Sequence, residues 1–257
     1  MISVKKVSLQ DINTMRIEHL KSLPESQDLF LELQIRHADA VEFAYSGNTV
    51  GYAILKGREM LEFFIQSTFQ SDVCLKFPEI VKSCCVGTIL VQSFDQVLLS
   101  CCSRIYPYHE VGILYRDYTQ VTIPKNPDIS FRPATIHDLP YLLMQEDEVF
   151  EPNDMISGSI EKNEIILCLN SKEIVGSGFI TRIHPLWEYY DIGVWVVPAF
   201  RRLGYGTQIL SRLKETCIKK SWVPVCGCGI ENHSSKLTLK KNGFISNHRL
   251  FGFDVTE

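Results

Sequence analysis

Alternation and clustering of apolar positions divide the second half of the chain into short strands and amphipathic helices. Ile129 to Arg132 reads as a strand and about Ile136 to Val149 as a helix. Glu164 to Leu169 and Ile174 to His184 then read as strands joined by a polar turn. Tyr190 to Val197 is a further strand, followed by a helix from about Gly204 to Ser221 and a strand from Val223 to Ile230. A helix from about Ser234 to Asn242 ends at Gly243, a natural C-cap, and Leu250 to Val255 predicts a last strand. This order predicts an α/β (α+β) fold whose mostly antiparallel sheet, flanked by helices, gains parallel partners through helical crossovers.

The first half begins with the same pattern. Ile2-Ser3-Val4-Lys5 followed by Ser8-Leu9-Gln10-Asp11-Ile12 parallels Ile129-Ser130-Phe131-Arg132 followed by Thr135-Ile136-His137-Asp138-Leu139, each pair 127 apart (129 − 2). Each copy reads as a strand, a Ser or Thr N-cap and an amphipathic helix. Val50-Gly51-Tyr52 parallels Val175-Gly176-Ser177, 125 apart (175 − 50), and both follow a strand and a polar turn as in a β-hairpin. Two landmarks at nearly one offset argue for tandem duplicated domains. The boundary falls in Thr122 to Asp128, where Pro124 and Pro127 make a stiff connector, giving domains of 1–121 and 129–257 with a linker at 122–128.

A length of 257 residues is comfortable for two domains, and 45% hydrophobic with 22% charged residues is a globular balance. The net charge of −4 offers no basic field for nucleic acid and leaves room for a cationic partner such as an amine. The N-terminus shows no apolar signal core and no run approaches a membrane span, so a cytoplasmic protein with neither nucleic acid nor membrane as partner is expected. Nine cysteines, among them the pairs Cys84-Cys85 and Cys101-Cys102, read as reduced, buried small hydrophobes. Cys226-Gly227-Cys228 has no second Cys/His pair at ligand spacing, so no metal is expected.

The chemistry concentrates in Asp191-Ile192-Gly193-Val194-Trp195-Val196-Val197-Pro198-Ala199-Phe200-Arg201-Arg202-Leu203-Gly204-Tyr205-Gly206-Thr207. A strand ends at Pro198, and Gly204 and Gly206 open a long helix. Glycines there let backbone N–H groups approach a ligand, and with the positive helix end they suit a pyrophosphate; Arg201 and Arg202 add charge. The order resembles motif A of the GNAT acetyltransferase superfamily, R/Q-x-x-G-x-G/A after the fourth strand. Asn232-His233-Ser234-Ser235, with Lys241, Gly243 and Phe244 beyond, is similar to the family's motif B. Asn232 alone reads equally well as a helix-start residue.

The resemblance implies a cofactor, acetyl-CoA, and direct attack on it by the primary amine of a small molecule or protein. It implies that the backbone of Val194, Trp195 and Val196 bonds the pantetheine arm like an added strand. The amides from Arg202 to Thr207, including Leu203 and Tyr205, would hold the pyrophosphate, with Asn232 and Ser235 beside the cofactor arm. The Val196 N–H would polarise the thioester carbonyl. One position departs from the family: where many members carry a tyrosine acid in the motif B helix, this chain has Leu239, and Tyr205, expected to point at the phosphates, is a poor substitute.

For the base, Asp191 matches a position where some members carry a glutamate; it reads alternatively as a strand-start cap. Glu188 is the lesser candidate, and Glu231, His184 and Cys228 read as ordinary groups. Trp187 and Tyr189, ahead of the fourth strand, are expected near the acceptor, whereas Phe63 and Phe64 read as substrate-lining or as core.

The first half has no counterpart to Arg201 through Gly206: Gln66 to Gln70 offers neither glycine nor arginine. It reads as a degenerate GNAT-like domain that either walls the substrate cleft or packs independently. Two functions stay open: an N-acetyltransferase, and a non-catalytic acyl-CoA-binding regulatory module favoured by Leu239. Oligomeric state is not legible.

Overall fold

A computed structural model of the chain describes residues 2–145 and 153–255. Two compact units emerge, one formed by Met1–Leu114 with Ser246–Glu257 and the other by Tyr115–Ile245.

The first unit runs β1 (Ile2–Val7), α1 (Asn13–Ser22), α2 (Leu29–Ile35), β2 (Asp39–Tyr45), β3 (Asn48–Lys56), β4 (Glu59–Ile65), α3 (Gln70–Cys74), α4 (Phe77–Ser83), β5 (Thr88–Gln92), α5 (Gln96–Cys102) and β6 (Tyr108–Tyr115). The second runs β7 (Asp117–Tyr118), β8 (Ile129–Pro133), α6 (Leu139–Leu143), α7 (Asn153–Glu161), β9 (Ile165–Asn170), β10 (Glu173–Arg182), β11 (Tyr189–Val196), α8 (Tyr205–Lys219), β12 (Val223–Gly229), α9 (His233–Lys241) and β13 (Phe244–Ile245). β14 (His248–Asp254) returns to the first unit.

Sheet order is β1-β2-β3-β4-β5-β14-β6 in the first unit and β12-β11-β10-β9-β8 in the second, with β7 and β13 as a separate antiparallel pair. The sequence placed the last strand at the end of the second half. In the fold, β14 instead lies antiparallel to both β5 and β6, from Leu250↔Gln92 and His248↔Leu114 onward. Leu250 and Phe253 are buried there. A strand is claimed by whichever sheet offers it two free edges and an apolar bed, and its position along the chain does not reveal which.

The duplication is visible atom by atom. Ser8 and Asp11 exchange hydrogen bonds, the Ser8 N–H to Asp11 Oδ2 at 2.9 Å and the Asp11 N–H to Ser8 Oγ at 3.3 Å. Thr135 and Asp138 form the same reciprocal pair at 127 residues' distance, so both copies leave their first strand through one kind of box, which opens a 3-10 turn in the second and a plain turn ahead of α1 in the first. Gly51 and Gly176, 125 apart, also do one job. A Cβ on Gly51 would stand 2.1 Å from the Phe64 carbonyl oxygen, and one on Gly176 would stand 2.5 Å from that of Trp195. Each glycine lets a hairpin strand press against the end of its neighbour.

The second unit's sheet is covered on two faces. Ala134, Leu142, Ile156, Ile160, Ile165, Leu167 and Trp195 form one cluster with α6 and α7. On the other face Gly176 and Gly178 admit Ile209 and Leu213 of α8, which is 15 residues long. Between Ile136 and Leu143 the expected first helix is a 3-10 turn followed by α6; from Glu146 to Val149 the expectation lies outside the described residues. The sequence pattern does not predict helix α7, because Gly158 and its Ser neighbours blur a 3.6-residue pattern.

Candidate functional site

Strand β11 is central to the site because its two edges behave differently. Toward β10 it is paired along its length, from Arg182↔Tyr190 to Gly176↔Val196. Toward β12 the parallel ladder runs over three pairs among the described residues, Tyr189↔Val223, Tyr190↔Pro224 and Asp191↔Val225. Beyond Asp191 the two strands part. The Val197 N–H donates to the Val175 carbonyl at 3.1 Å, so by strict alternation Trp195 turns its backbone groups to β10, while Val194 and Val196 turn theirs to the parting. Of the three residues expected to offer backbone bonds to a ligand arm, Trp195 is therefore committed to the sheet. Its side chain is core, 4% exposed.

The turn after β11 carries the remaining backbone donors. Pro198–Phe200 is a 3-10 turn, and then Arg202 takes φ 66° and Gly204 φ 89° before α8 begins. A left-handed φ costs a non-glycine residue about 1–2 kcal/mol, so Arg202 holds a strained shape within this turn. The first amides to be used inside the helix are those of Thr207 and Gln208, both donating to the Gly204 carbonyl. Among the described residues, the amides of Arg202, Leu203, Gly204, Tyr205 and Gly206 meet no backbone acceptor, and no side chain caps the helix. Five adjacent donors at the positive end of a 15-residue helix favour an anion with several oxygens. Arg201, Arg202, Leu203 and Gly204 are all exposed.

Gly206 explains its own identity. A Cβ there would stand 3.5 Å from Val196 Cγ2, 3.8 Å from Thr238 Cγ2 and 3.9 Å from Val194 Cγ2, inside the parting of β11 from β12. A glycine keeps that space open. The residues present thus fit a diphosphate on the turn and an extended arm along Val194 and Val196.

Tyr205 does not point at that turn. It is 8% exposed, and its hydroxyl accepts a 2.7 Å hydrogen bond from Asn170 Nδ2 at the end of β9. A first-turn N–H points along the helix axis whichever way its side chain packs, so the buried ring still leaves the Tyr205 N–H without a backbone acceptor. Asn232 is the N-cap of α9, its Oδ1 accepting from the Ser235 N–H at 3.0 Å, which leaves its amide NH2 as the group available to a ligand. Leu239 is buried at 4% exposure and supplies no proton.

Asp191 sits half-buried at the last ladder pair before the parting. It shares a sheet face with Tyr189 and Trp195, opposite the α8 face of Val194 and Val196. Glu188 is exposed and ion-paired with Arg182, whose Nε also donates to the Trp187 carbonyl at 2.9 Å and whose Nη2 donates to that of Pro185. Arg182 is the residue the sequence reading missed: it ties the 183–188 loop down and presents Trp187, which meets Tyr189 edge-to-face at 6.4 Å. An arginine closing a strand just before a Pro-containing loop was the available signal. His184 belongs to the same loop, its Nδ1 accepting from the Leu186 N–H. Glu231 is 89% exposed.

The first unit has the same parting without the same turn. Its parallel strands β4 and β5 pair at Glu59↔Thr88 and Met60↔Ile89 among the described residues, and a 3-10 turn, Ser67–Phe69, follows β4. A cleft of about 200 Å³ lies beyond, lined by His19, Phe64, Gln70, Phe94, Asp95 and Gln96 among others. Phe63 and Phe64 are 0% and 7% exposed and serve mainly as core. No group of three or more His, Cys, Asp or Glu able to hold a metal occurs among the described residues, and no helix there is long and apolar enough to cross a membrane.

Comparisons agree with this duplicated architecture. Residues 8–117 match a model described as an acetyltransferase (GNAT) domain, and residues 132–244 match one described as the acetyltransferase (GNAT) family. A solved acetyltransferase from the GNAT family of Colwellia psychrerythraea superposes with a TM-score of 0.88 at 17% identity, covering 99% of this chain and 100% of that one. A GCN5-related N-acetyltransferase from Sphaerobacter thermophilus gives 0.63 at 12% identity, over 98% of this chain and 94% of that one. A tandem GNAT protein from the clavulanic acid biosynthesis pathway gives 0.62 at 9% identity, over 99% and 98%. No curated protein matches the sequence. With one matched domain in each half and a parted parallel pair in each unit, the chain belongs to the GNAT acetyltransferase family as a tandem member.

Proposed function

We propose that the second unit transfers an acetyl group from acetyl-CoA to a primary amine by direct attack. The observation that carries this reading is the conjunction of five amides without a backbone acceptor, from Arg202 to Gly206, with the open backbone edge of Val194 and the Val196 N–H. Acetyl-CoA, when bound, supplies an activated thioester whose thiol, with an ordinary pKa of about 8.5, can depart without a protein acid.

In this reading the amide turn and α8 bind the diphosphate, Arg201 and Arg202 add charge, and Val194 and Val196 align the arm. The Val196 N–H donates to the carbonyl oxygen that gains charge during attack. Asp191 takes the proton from the acceptor's ammonium, directly or through one water. Glu188 is the weaker base because Arg182 already engages it. Trp187 and Tyr189 offer aromatic faces suited to a cationic amine.

One observation favours a second reading, a CoA-binding module without turnover: the motif B helix turns Leu239 into the core where an acid would stand. Calorimetry with CoA, paired with a CoA-release assay across small amines and peptide N-termini, separates the two. Binding with release supports the transferase, and binding without release supports the module. No heat of association with the folded chain ends both.

A further inference from the structure

Two thiols of the first unit stand unusually close. Cys74, the last residue of α3, and Cys101 on α5 have their sulfurs 2.9 Å apart, with the Cys101 thiol donating to Cys74. Cys101 is 4% exposed, whereas Cys74 is only half-buried. The nine cysteines read from sequence as reduced, buried small hydrophobes, and for several this fits: burial pushes Cys84 up to about 11 and Cys168 and Cys217 to about 12. Cys74 goes the other way. The hydrogen bond from Cys101 draws its thiol down to about 7, and the same bond, together with burial, pushes Cys101 far up. A thiolate at the accessible sulfur and a protonated thiol touching it are the division of labour of an attacking and a resolving cysteine.

We propose that Cys74 and Cys101 are an oxidant-reactive pair that closes to a disulfide between α3 and α5 on exposure to hydrogen peroxide. The Cys74 thiolate attacks one peroxide oxygen and the O–O bond breaks. Hydroxide leaves and takes up the thiol's proton as water. Cys74 is thereby oxidised to a sulfenic acid and the peroxide reduced. The Cys101 sulfur then attacks the Cys74 sulfur, the S–S bond forms, and the S–O bond breaks, its hydroxyl leaving with the Cys101 proton as a second water. Two thiols and one peroxide give one disulfide and two waters. The product links the two helices that supply Gln70 and Gln96 to the first unit's cleft, and a thiol reductant restores the pair.

The test uses the full chain, reduced, desalted, exposed to hydrogen peroxide and quenched with N-ethylmaleimide before proteolysis and tandem mass spectrometry. The expected product is a Cys74–Cys101 linked peptide, lighter by two hydrogens and removed by dithiothreitol. Fragmentation must distinguish Cys101 from its neighbour Cys102. The oxidised protein should also melt several degrees higher than the reduced one. In Cys101→Ser, checked for folding by circular dichroism, Cys74 should stop at the sulfenic acid, trapped by dimedone, and the link should vanish. Cys102→Ser should leave the link intact. A link that persists in Cys101→Ser, or a wild-type Cys74 that stays a thiol while free glutathione is consumed, overturns the proposal.

Discussion

The guanidinium Nε of Arg201 donates to the carbonyl oxygen of Val196 at 3.1 Å, five residues back along the chain. The bond joins the turn of amides to the open edge of β11, where it takes up the Val196 carbonyl and leaves the Val196 N–H facing the parting. The first unit repeats the spacing, Gln70 Nε2 reaching the Ile65 carbonyl at 3.4 Å, but with a neutral side chain and no glycine turn behind it. One geometry thus survives in both copies, while the charge and the exposed donors stand in the second.

If that bond holds the amide turn in register, Arg201→Ala weakens CoA binding about tenfold, equivalent to about 1.4 kcal/mol. Arg201→Lys restores the charge without the planar donor and recovers only part of it. Calorimetry on the folded variants decides; an unchanged Kd for Arg201→Ala would detach the turn from binding.

The space at Gly206 is tested by Gly206→Trp, whose ring must occupy the gap beside Val194 and Val196. CoA binding should be lost while the melting temperature changes little. Gly204→Val addresses the backbone instead, because φ 89° costs a β-branched residue about 1–2 kcal/mol or more. That variant should melt lower, and a melting curve equal to wild type contradicts the assigned conformation.

Asp191→Asn keeps size and strand pairing but removes the proton acceptor. Turnover should fall by roughly 10²–10⁴-fold with CoA affinity unchanged. The rise of kcat/KM with pH should lose its lower limb; an unaltered pH–rate profile removes Asp191 from the mechanism.

Stability of the first unit leans on Glu62, which is buried and accepts from Arg16, Gln27 and Tyr52 at once. Burial works against its charge, yet Arg16 beside it holds its carboxyl below the usual range. Glu62→Ala strands the Arg16 guanidinium with Glu32 as its remaining carboxylate and should cost about 3–5 kcal/mol. Chemical denaturation measures this, and a loss under about 1 kcal/mol would show that Arg16 finds other partners.

The second unit carries an acid-sensitive counterpart. Arg132 bonds both oxygens of Asp138 at 2.7 Å and, with the Thr135 amide, holds its carboxyl far below the ordinary 3.8. A depressed folded value means the stabilisation is fully present above about pH 4 and is lost as pH falls below it. Asp138→Asn should therefore lower stability at neutral pH and flatten the loss between pH 5 and 2. Parallel acid denaturation curves for the two proteins would argue against the pair.

Much of this was legible in order along the chain. Ser8/Asp11 and Thr135/Asp138, Gly51 and Gly176, and Gly204 and Gly206 each owe their meaning to backbone within a few residues or to one hairpin neighbour. Residue type alone therefore exposes them: a cap needs a short oxygen, a close approach needs no Cβ, and a left-handed turn needs glycine. From such positions the sequence by itself determined the duplication, the mostly antiparallel sheets and the anion-suited turn ahead of α8. What only the tertiary structure decided depends on partners far away in the chain. β14 joined β5 and β6, Trp195 spent its backbone on β10, Tyr205 turned to Asn170, and Cys74 met Cys101. Hydrogen bonds between distant segments are chosen by which edges and cavities the packed core leaves available, and no local pattern encodes that choice.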